Sequence, residues 1–235
     1  MNEEIKSIEL VGNVGEATTE VNYKAASKKL LYKFVKRTFD ILLSVFGLLF
    51  LIPIAIIVKI IYMCTGDFHS IFFTQKRIGK EGKEFSFYKF RTMVPNADKE
   101  LEKLLASDPA RKKEYEINKK LKDDPRITLA GKFLRKSSLD ELPQLLNIFL
   151  GDMTFIGNRP YLPRERVDMG VHFHRIVATK PGLTGYWQVS GRSNTSFEYR
   201  LQLEEYYSAH CGFRMDIKIF FKTFYVVLLR KGADK

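Results

Sequence analysis

Cysteine is scarce in this 235-residue chain: Cys64 and Cys211 stand far apart and outside any C-x-x-C or Cys/His ligand spacing. That argues against a disulfide framework and a zinc module, and fits a reducing cytosolic setting. The four histidines (His69, His172, His174, His210) form no H-E-x-x-H pattern, and His172-x-His174 reads as a packing or loop feature. No P-loop and no G-x-G-x-x-G occurs, which argues against an ordinary NTPase or a Rossmann cofactor site. No recognisable DNA or RNA module is present, so nucleic acid is not expected as a partner. Acidic residues are also short, 27 against 39 basic, for a net charge of +12. Five glutamates and one lysine fall in the first twenty residues, so the other 215 carry +16. Such a surplus asks for an anionic partner, among which phosphorylated substrates and acidic lipid both qualify. The 45% apolar content is enough for a real core of one medium domain or two small ones.

Long apolar runs are absent but for one. Residues 41–58 (ILLSVFGLLFLIPIAIIV) contain no charge, yet eighteen residues reach only ~27 Å against a hydrocarbon core of ~30 Å. The run starts too late for a secretory signal and lacks a small-residue cleavage site. Lys36 and Arg37 precede it and Lys59 follows, so the charge rule places both ends in the cytosol. Pro53 removes a helical hydrogen bond and clashes with the preceding turn, which motivates a bend. Two forms remain open on these features: a re-entrant helix that breaks at Ile52-Pro53 and returns to the same face, or a single-pass helix with a proline kink.

Residues 1–22 are polar with no sustained apolar period and read as a mobile tail. In 27–37 (SKKLLYKFVKR), Leu30, Leu31, Phe34 and Val35 recur at helical spacing among lysines, the pattern of a basic helix on an anionic membrane surface. Two aromatic and β-branched runs around RIGKEGK predict a β-hairpin over 69–93. The charged stretch 95–124 predicts two exposed helices broken at Asp108-Pro109, and 142–150 a buried helix ended by Gly151. Residues 157–191 read as functional loop, 197–207 as a helix, and 215–231 as another interfacial helix.

The most informative stretch is RKSSLDELPQ, where Asp140 and Glu141 stand among Arg135, Lys136 and two serines. A structural account is at hand: Ser138-x-x-Glu141 is a capping box, and with Asp140 as cap instead, Pro143 falls at a harmless third position. The company points elsewhere. Lys89 and Arg91 in YKFRT, Arg126 in DDPRIT, Arg135, Arg159 in GNRP and Arg192 in SGR lie beside glycine, proline or aromatics rather than on a helical face. Arginines so placed suit bidentate contact with phosphate. A carboxylate pair among them suits phosphoryl transfer, one carboxylate holding Mg2+ and the other attacking phosphorus.

In order along the chain, KRTFD, the proline-broken run, QKRIGKEGKEFSFYKFRTM, DDPRITLAGKFLRKSSLDELPQLLNIFLGDMTFIGNRP and KPGLTGYWQVSGRS resemble the bacterial sugar transferases that act on polyprenyl phosphate, the monotopic phosphoglycosyl transferases. The likeness covers roughly residues 36–231. It implies transfer of a sugar 1-phosphate from a UDP-sugar, with UDP-glucose or UDP-galactose preferred, to undecaprenyl phosphate, releasing UMP through a phospho-aspartyl intermediate. Asp140 matches the nucleophile and Glu141 its Mg2+-binding neighbour; Lys89, Arg91, Arg135 and Arg159 match further family positions, and Pro53 the membrane break. GNRP departs from the usual Gly-Pro-Arg-Pro, which bears on the loop carrying Arg159.

The expectation is an α+β chain, predominantly helical, with a small β-hairpin, a re-entrant membrane helix and interfacial amphipathic helices. Residues 1–26 form an acidic tail, 27–62 the basic helix and re-entrant helix, and 63–235 a cytosolic catalytic domain. Metal binding is expected at Glu141 and Asp140, and phosphate contacts at Lys89, Arg91, Arg126, Arg135, Arg159 and Arg192. Partners are the UDP-sugar, undecaprenyl phosphate, anionic lipid and a second copy as homodimer, at the cytoplasmic face of the bacterial inner membrane. The lysines of 28–37 and 218–231 are assigned to lipid headgroups. The rival class is a non-enzymatic, membrane-anchored basic adaptor.

Overall fold

The computed structural model describes residues 2–118, 121–190 and 195–228, with side chains over 29–116, 121–190 and 195–225. Its longest element is helix α1, Asn2–Cys64. The backbone is helical from Asn2, in the stretch expected as a tail, and the helix continues through Pro53 where a break was expected. Over Lys29–Cys64 it is long and apolar enough to cross a membrane.

What holds α1 is a stripe invisible in its composition. Asp40, Ser44, Val58 and Tyr62 are buried, and between them Leu48, Leu51, Ile54 and Ala55 pack on the core. Steps of three and four residues put these side chains on one face. The remaining faces, including Leu42, Phe46, Leu49, Ile52, Ile56 and Ile60, are exposed. Both ends of the apolar run are therefore seated on one globular body. At the first end Asp40 Oδ1 accepts from Thr154 Oγ1 and the Phe155 N–H, both at 3.0 Å. At the other, the Tyr62 hydroxyl donates to the Arg91 carbonyl.

The flanking cations also turn inward. Lys36 Nζ donates to Ile156 O at 2.7 Å and to the Asp216 carboxylate, while Arg37 donates to Ile148 O at 2.6 Å and Phe149 O at 2.7 Å. The expectation that Lys36 faces lipid headgroups is corrected, because the Asp216 carboxylate holds it, and Arg37 of the same basic helix turns to carbonyls left over at a helix C-terminus. Lys29 and Lys33 remain exposed. Arg37→Ala should therefore lower stability by about 1.5–3 kcal/mol, read by thermal unfolding in detergent, whereas Lys33→Ala should stay within ~0.5 kcal/mol.

The body starts with a hairpin, strands β1 (Phe72–Ile78) and β2 (Glu84–Phe90), antiparallel with Arg77 opposite Phe85 and Lys89 opposite Phe73. Helices α2 (Ala97–Ser107) and α3 (Pro109–Asn118) form the charged pair foreseen, split at Asp108-Pro109. Helix α4 (Leu129–Ser137) begins under a Thr128 cap whose hydroxyl accepts the Gly131 N–H. Helix α5 (Gln144–Leu150) ends at Gly151, φ +94°. It lies along α1, and Gly47 makes the approach close: a Cβ there would sit 2.6 Å from Leu145 Cδ1.

Beyond it, strand β3 (Thr154–Ile156) leads through short helices α6 (Arg166–Met169) and α7 (Phe173–Ile176) to β4 (Gly182–Thr184), which pairs with β3 in parallel. The expected long loop is thus partly structured. Helix α8 (Tyr186–Ser190) precedes α9 (Phe197–His210) and α10 (Phe213–Leu228). On α10, Ile219 is buried while Ile217, Phe220, Phe221, Phe224 and Tyr225 are exposed, the one-sided face expected of an interfacial helix.

Candidate active site

The LDEL segment is aimed by its leucines. Ser138 ends α4 in the left-handed region (φ 57°), its N–H bonding back to Arg135 O and Leu134 O. A single 3-10 turn, Leu139–Glu141, follows. Leu139 packs on the core formed by Val58, Tyr62, Phe90 and Leu134, and Leu142 bridges it to the core around Leu145 and Ile148. With both leucines anchored inward, Asp140 is held at 9% exposure and Glu141 reaches the surface side of the turn. The two capping readings are corrected. Neither Ser138 nor Asp140 caps α5, because the left-handed Ser138 closes α4 and Pro143 occupies the N-cap of α5.

Strand β2 supplies the cation. Lys89 Nζ lies 2.9 Å from Glu141 Oε1 and 3.6 Å from Asp140 Oδ2. Burial pushes the Asp140 carboxyl above the usual carboxylate range and the Lys89 charge pulls it back; Glu141 adds to the rise and Arg135 opposes it. Arg135 itself donates from Nε to Thr92 Oγ1 at 2.9 Å. Behind the site, Asn147 of α5 is fully buried: Oδ1 accepts the Tyr88 N–H at 3.1 Å and Nδ2 donates to Ser86 O at 2.6 Å. These bonds fix β2, and so Lys89, against α5. Nothing in the sequence singled out Asn147 except a polar residue inside an apolar helix.

The structure thus brings Asp140, Glu141 and Lys89 together, with Arg135 in electrostatic reach. Two expected phosphate ligands are engaged otherwise. Arg91 donates to Ser70 O at 2.7 Å and Met93 O at 3.0 Å, pairs with Asp67 at 2.9 Å, and lies over the Tyr62 ring at 4.7 Å. Arg126 is buried against Asp124, at 2.8 and 2.6 Å. Arg159 stands in another group of arginines: its guanidinium lies over Trp187 at 5.8 Å, and its backbone N–H donates to Glu204 Oε1 at 3.3 Å. Arg192 lies outside the described residues. Residues that the sequence reading missed are Arg77 and Arg200, whose surroundings become informative only when β1, α9 and the 159–165 segment meet.

Asp140 and Glu141 are two carboxylates, with one side chain still 41% accessible. That donor set fits Mg2+, which takes one or two carboxylates plus water and substrate phosphate. Among the described residues no cluster of three or more His, Cys, Asp or Glu forms a closed metal cage.

Residues 31–230 match the family described as bacterial sugar transferase. An undecaprenyl-phosphate galactose phosphotransferase of Salmonella typhimurium is 43% identical over 201 residues, 86% of this chain and 42% of that protein. A UDP-galactose-lipid carrier transferase of Erwinia amylovora is 41% identical over 201 residues, again 86% and 42%. The exopolysaccharide production protein ExoY of Sinorhizobium fredii is 40% identical over 200 residues, 84% of this chain and 87% of that one. The chain spans less than half the length of the first two relatives and most of the third.

Proposed function

Because the chain belongs to the bacterial sugar transferase family, we propose that it transfers a sugar 1-phosphate from a UDP-sugar to undecaprenyl phosphate in exopolysaccharide or capsule synthesis. The observation that carries this reading is the buried Asp140 beside Lys89 and Glu141. An Asp140 oxygen attacks the sugar-bearing phosphorus, and the bond from that phosphorus to the bridging oxygen breaks, so UMP leaves with the electron pair. A phosphate oxygen of undecaprenyl phosphate then attacks the same phosphorus and the acyl-phosphate bond breaks, restoring the carboxylate. Lys89 balances negative charge at the reacting phosphoryl group in both steps, and Arg135 adds to the field. Mg2+ bound at Glu141 and Asp140 would offset charge on the diphosphate.

Placement supports the lipid acceptor. The packed stripe from Asp40 to Tyr62 ties both ends of the run to one body, which supports an α1 that is continuous through Pro53 yet stays on one face of the inner membrane, the cytoplasmic one, with the exposed faces of α1 and α10 in lipid. Of the lysines expected at headgroups, Lys29, Lys33, Lys218 and Lys222 are exposed and available to anionic lipid, while the Lys28 side chain and Lys231 lie outside the described residues. Among donors, UDP-galactose and UDP-glucose are preferred, the first because two relatives carry galactose in their names.

The purified protein in detergent, given undecaprenyl phosphate and a panel of UDP-sugars, should release UMP with at least one of them; none with any would sink the reading. Its rate should fall on the acid side at a higher pH than an ordinary aspartate sets. The nucleophile is the carboxylate and burial raises its folded pKa, so protonation removes it earlier as pH drops.

A further inference from the structure

Three guanidinium groups from distant parts of the chain converge on one place. Arg77 of β1 reaches the 159–165 segment, donating to Pro160 O at 3.1 Å. Arg159 and Arg200 of α9 lie over the Trp187 ring at 5.8 and 5.0 Å, and Arg200 also over Phe197 at 4.7 Å. The Nε of each of the three is buried and has no hydrogen-bond partner, and none of the three makes an ion pair among the described residues. Arg77 ends on the Pro160 carbonyl and on Gln75 Oε1 at 3.0 Å, but the Arg159 and Arg200 guanidinium groups meet aromatic rings, whereas arginines packed for structure alone normally end on a carboxylate or carbonyl.

The nearest carboxylate leaves the charge standing. Glu204 is fully buried; Oε1 takes the Arg159 N–H and Oε2 has no partner. Burial pushes its carboxyl up to about 8 against the pull of the Arg159 and Arg200 charges, which favours its neutral form. The Glu165 charge favours the Arg77 cation from nearby without pairing with it, its Oε2 accepting the Leu162 N–H at 2.6 Å. Arg77 is held down to about 10 by burial and by the like charges of Arg159 and Arg164. Half-buried cations that repel one another and keep free donors are at their least favourable without an anion.

We infer that Arg77, Arg159 and Arg200 form a diphosphate-binding site that takes the nucleoside-diphosphate part of the donor, an inference that rests on the transfer proposed above. Position selects the donor over the lipid phosphate. Arg77 and Lys89 attend the same Phe87 ring, at 5.3 and 5.6 Å from its centroid. The arginine site therefore borders the Lys89 side of the Asp140 site across one side chain. Helix α1 rests on α4, α5 and β3, whereas this site is built from β1, the 159–165 segment and α9, so its ligand arrives from solution.

Trp187 is the sole tryptophan, so its fluorescence reports on the site directly. Full-length protein carrying Asp140→Asn, which blocks turnover, is titrated with UDP, UMP and undecaprenyl phosphate, with calorimetry in parallel. UDP should bind and alter Trp187 emission, and Arg77→Gln and Arg200→Gln should each weaken UDP by about tenfold or more, with Arg200→Lys intermediate. Circular dichroism and melting temperature select folded variants; should a Gln variant unfold, the Lys variants decide. Unchanged UDP affinity in folded variants overturns the inference, as does Trp187 responding to undecaprenyl phosphate and not to UDP. If UDP fails to bind at all the site assignment falls, while trapping of label on Asp140 in the wild-type protein judges the transfer separately.

Discussion

Asp140→Asn, incubated with radiolabelled UDP-sugar in the absence of lipid, will acquire no label, whereas the wild-type protein will retain sugar phosphate. Steady-state turnover will drop by about a thousandfold or more, the scale seen when a nucleophile is removed. Its melting temperature will not fall. The carboxyl is 9% exposed and burial raises its pKa. A group whose folded pKa is raised in this way opposes folding when ionised, and an uncharged amide of the same shape removes that opposition. Lys89 keeps Glu141 at 2.9 Å as its partner, so no buried cation is stranded. The adaptor reading demands the reverse, a loss of stability with no turnover to lose. Wild-type activity in this variant would end the covalent mechanism.

The second large effect is purely steric. Gly182→Ala will lower stability by about 3 kcal/mol or more, some 6–12 °C for a chain of this size, and activity will go with it. At β4 a Cβ would lie 2.1 Å from the Gly157 nitrogen and 2.6 Å from its Cα, where only backbone can yield. The strands meet there through Gly182 N–H to Asn158 O at 2.7 Å and Gly157 N–H to Thr184 O at 2.8 Å. Pushing them apart displaces the segment that carries Arg159. Gly212→Ala, with nothing within 4 Å of the added carbon, is the control and should stay within ~0.5 kcal/mol. Equal melting temperatures for the two would refute the close approach.

How much of this was legible depended on whether a signal was local. The hairpin, the helix pair split at Asp108-Pro109 and the end of α5 at Gly151 are each announced by residues within a few positions of the feature. The Asp140-Glu141 pair stood out for the same reason, though its local capping chemistry pointed to the wrong turn. By contrast, Thr154–Ile156 and Gly182–Thr184 are three-residue strands far apart in sequence, too short for any alternation to show. The stripe on α1 was hidden because every face of the run is apolar, so periodicity carries no contrast. Lys36 and Arg37 look the same beside a membrane whether they face lipid or carbonyls. Arg77 and Arg200 sit among ordinary strand and helix residues, and only tertiary packing gives them a common neighbour.

The stripe from Asp40 to Tyr62 also fixes the phase of the membrane segment. Its two ends are fastened by different chemistry, Asp40 to Thr154 and Tyr62 to the Arg91 carbonyl. One residue inserted between them would turn one end by about 100° relative to the other, taking either Asp40 or Tyr62 off its partner. The exposed faces of the apolar run can therefore change their side chains, but the run cannot change its length. A thicker bilayer has to be met by lipid deforming around the protein, never by a longer helix.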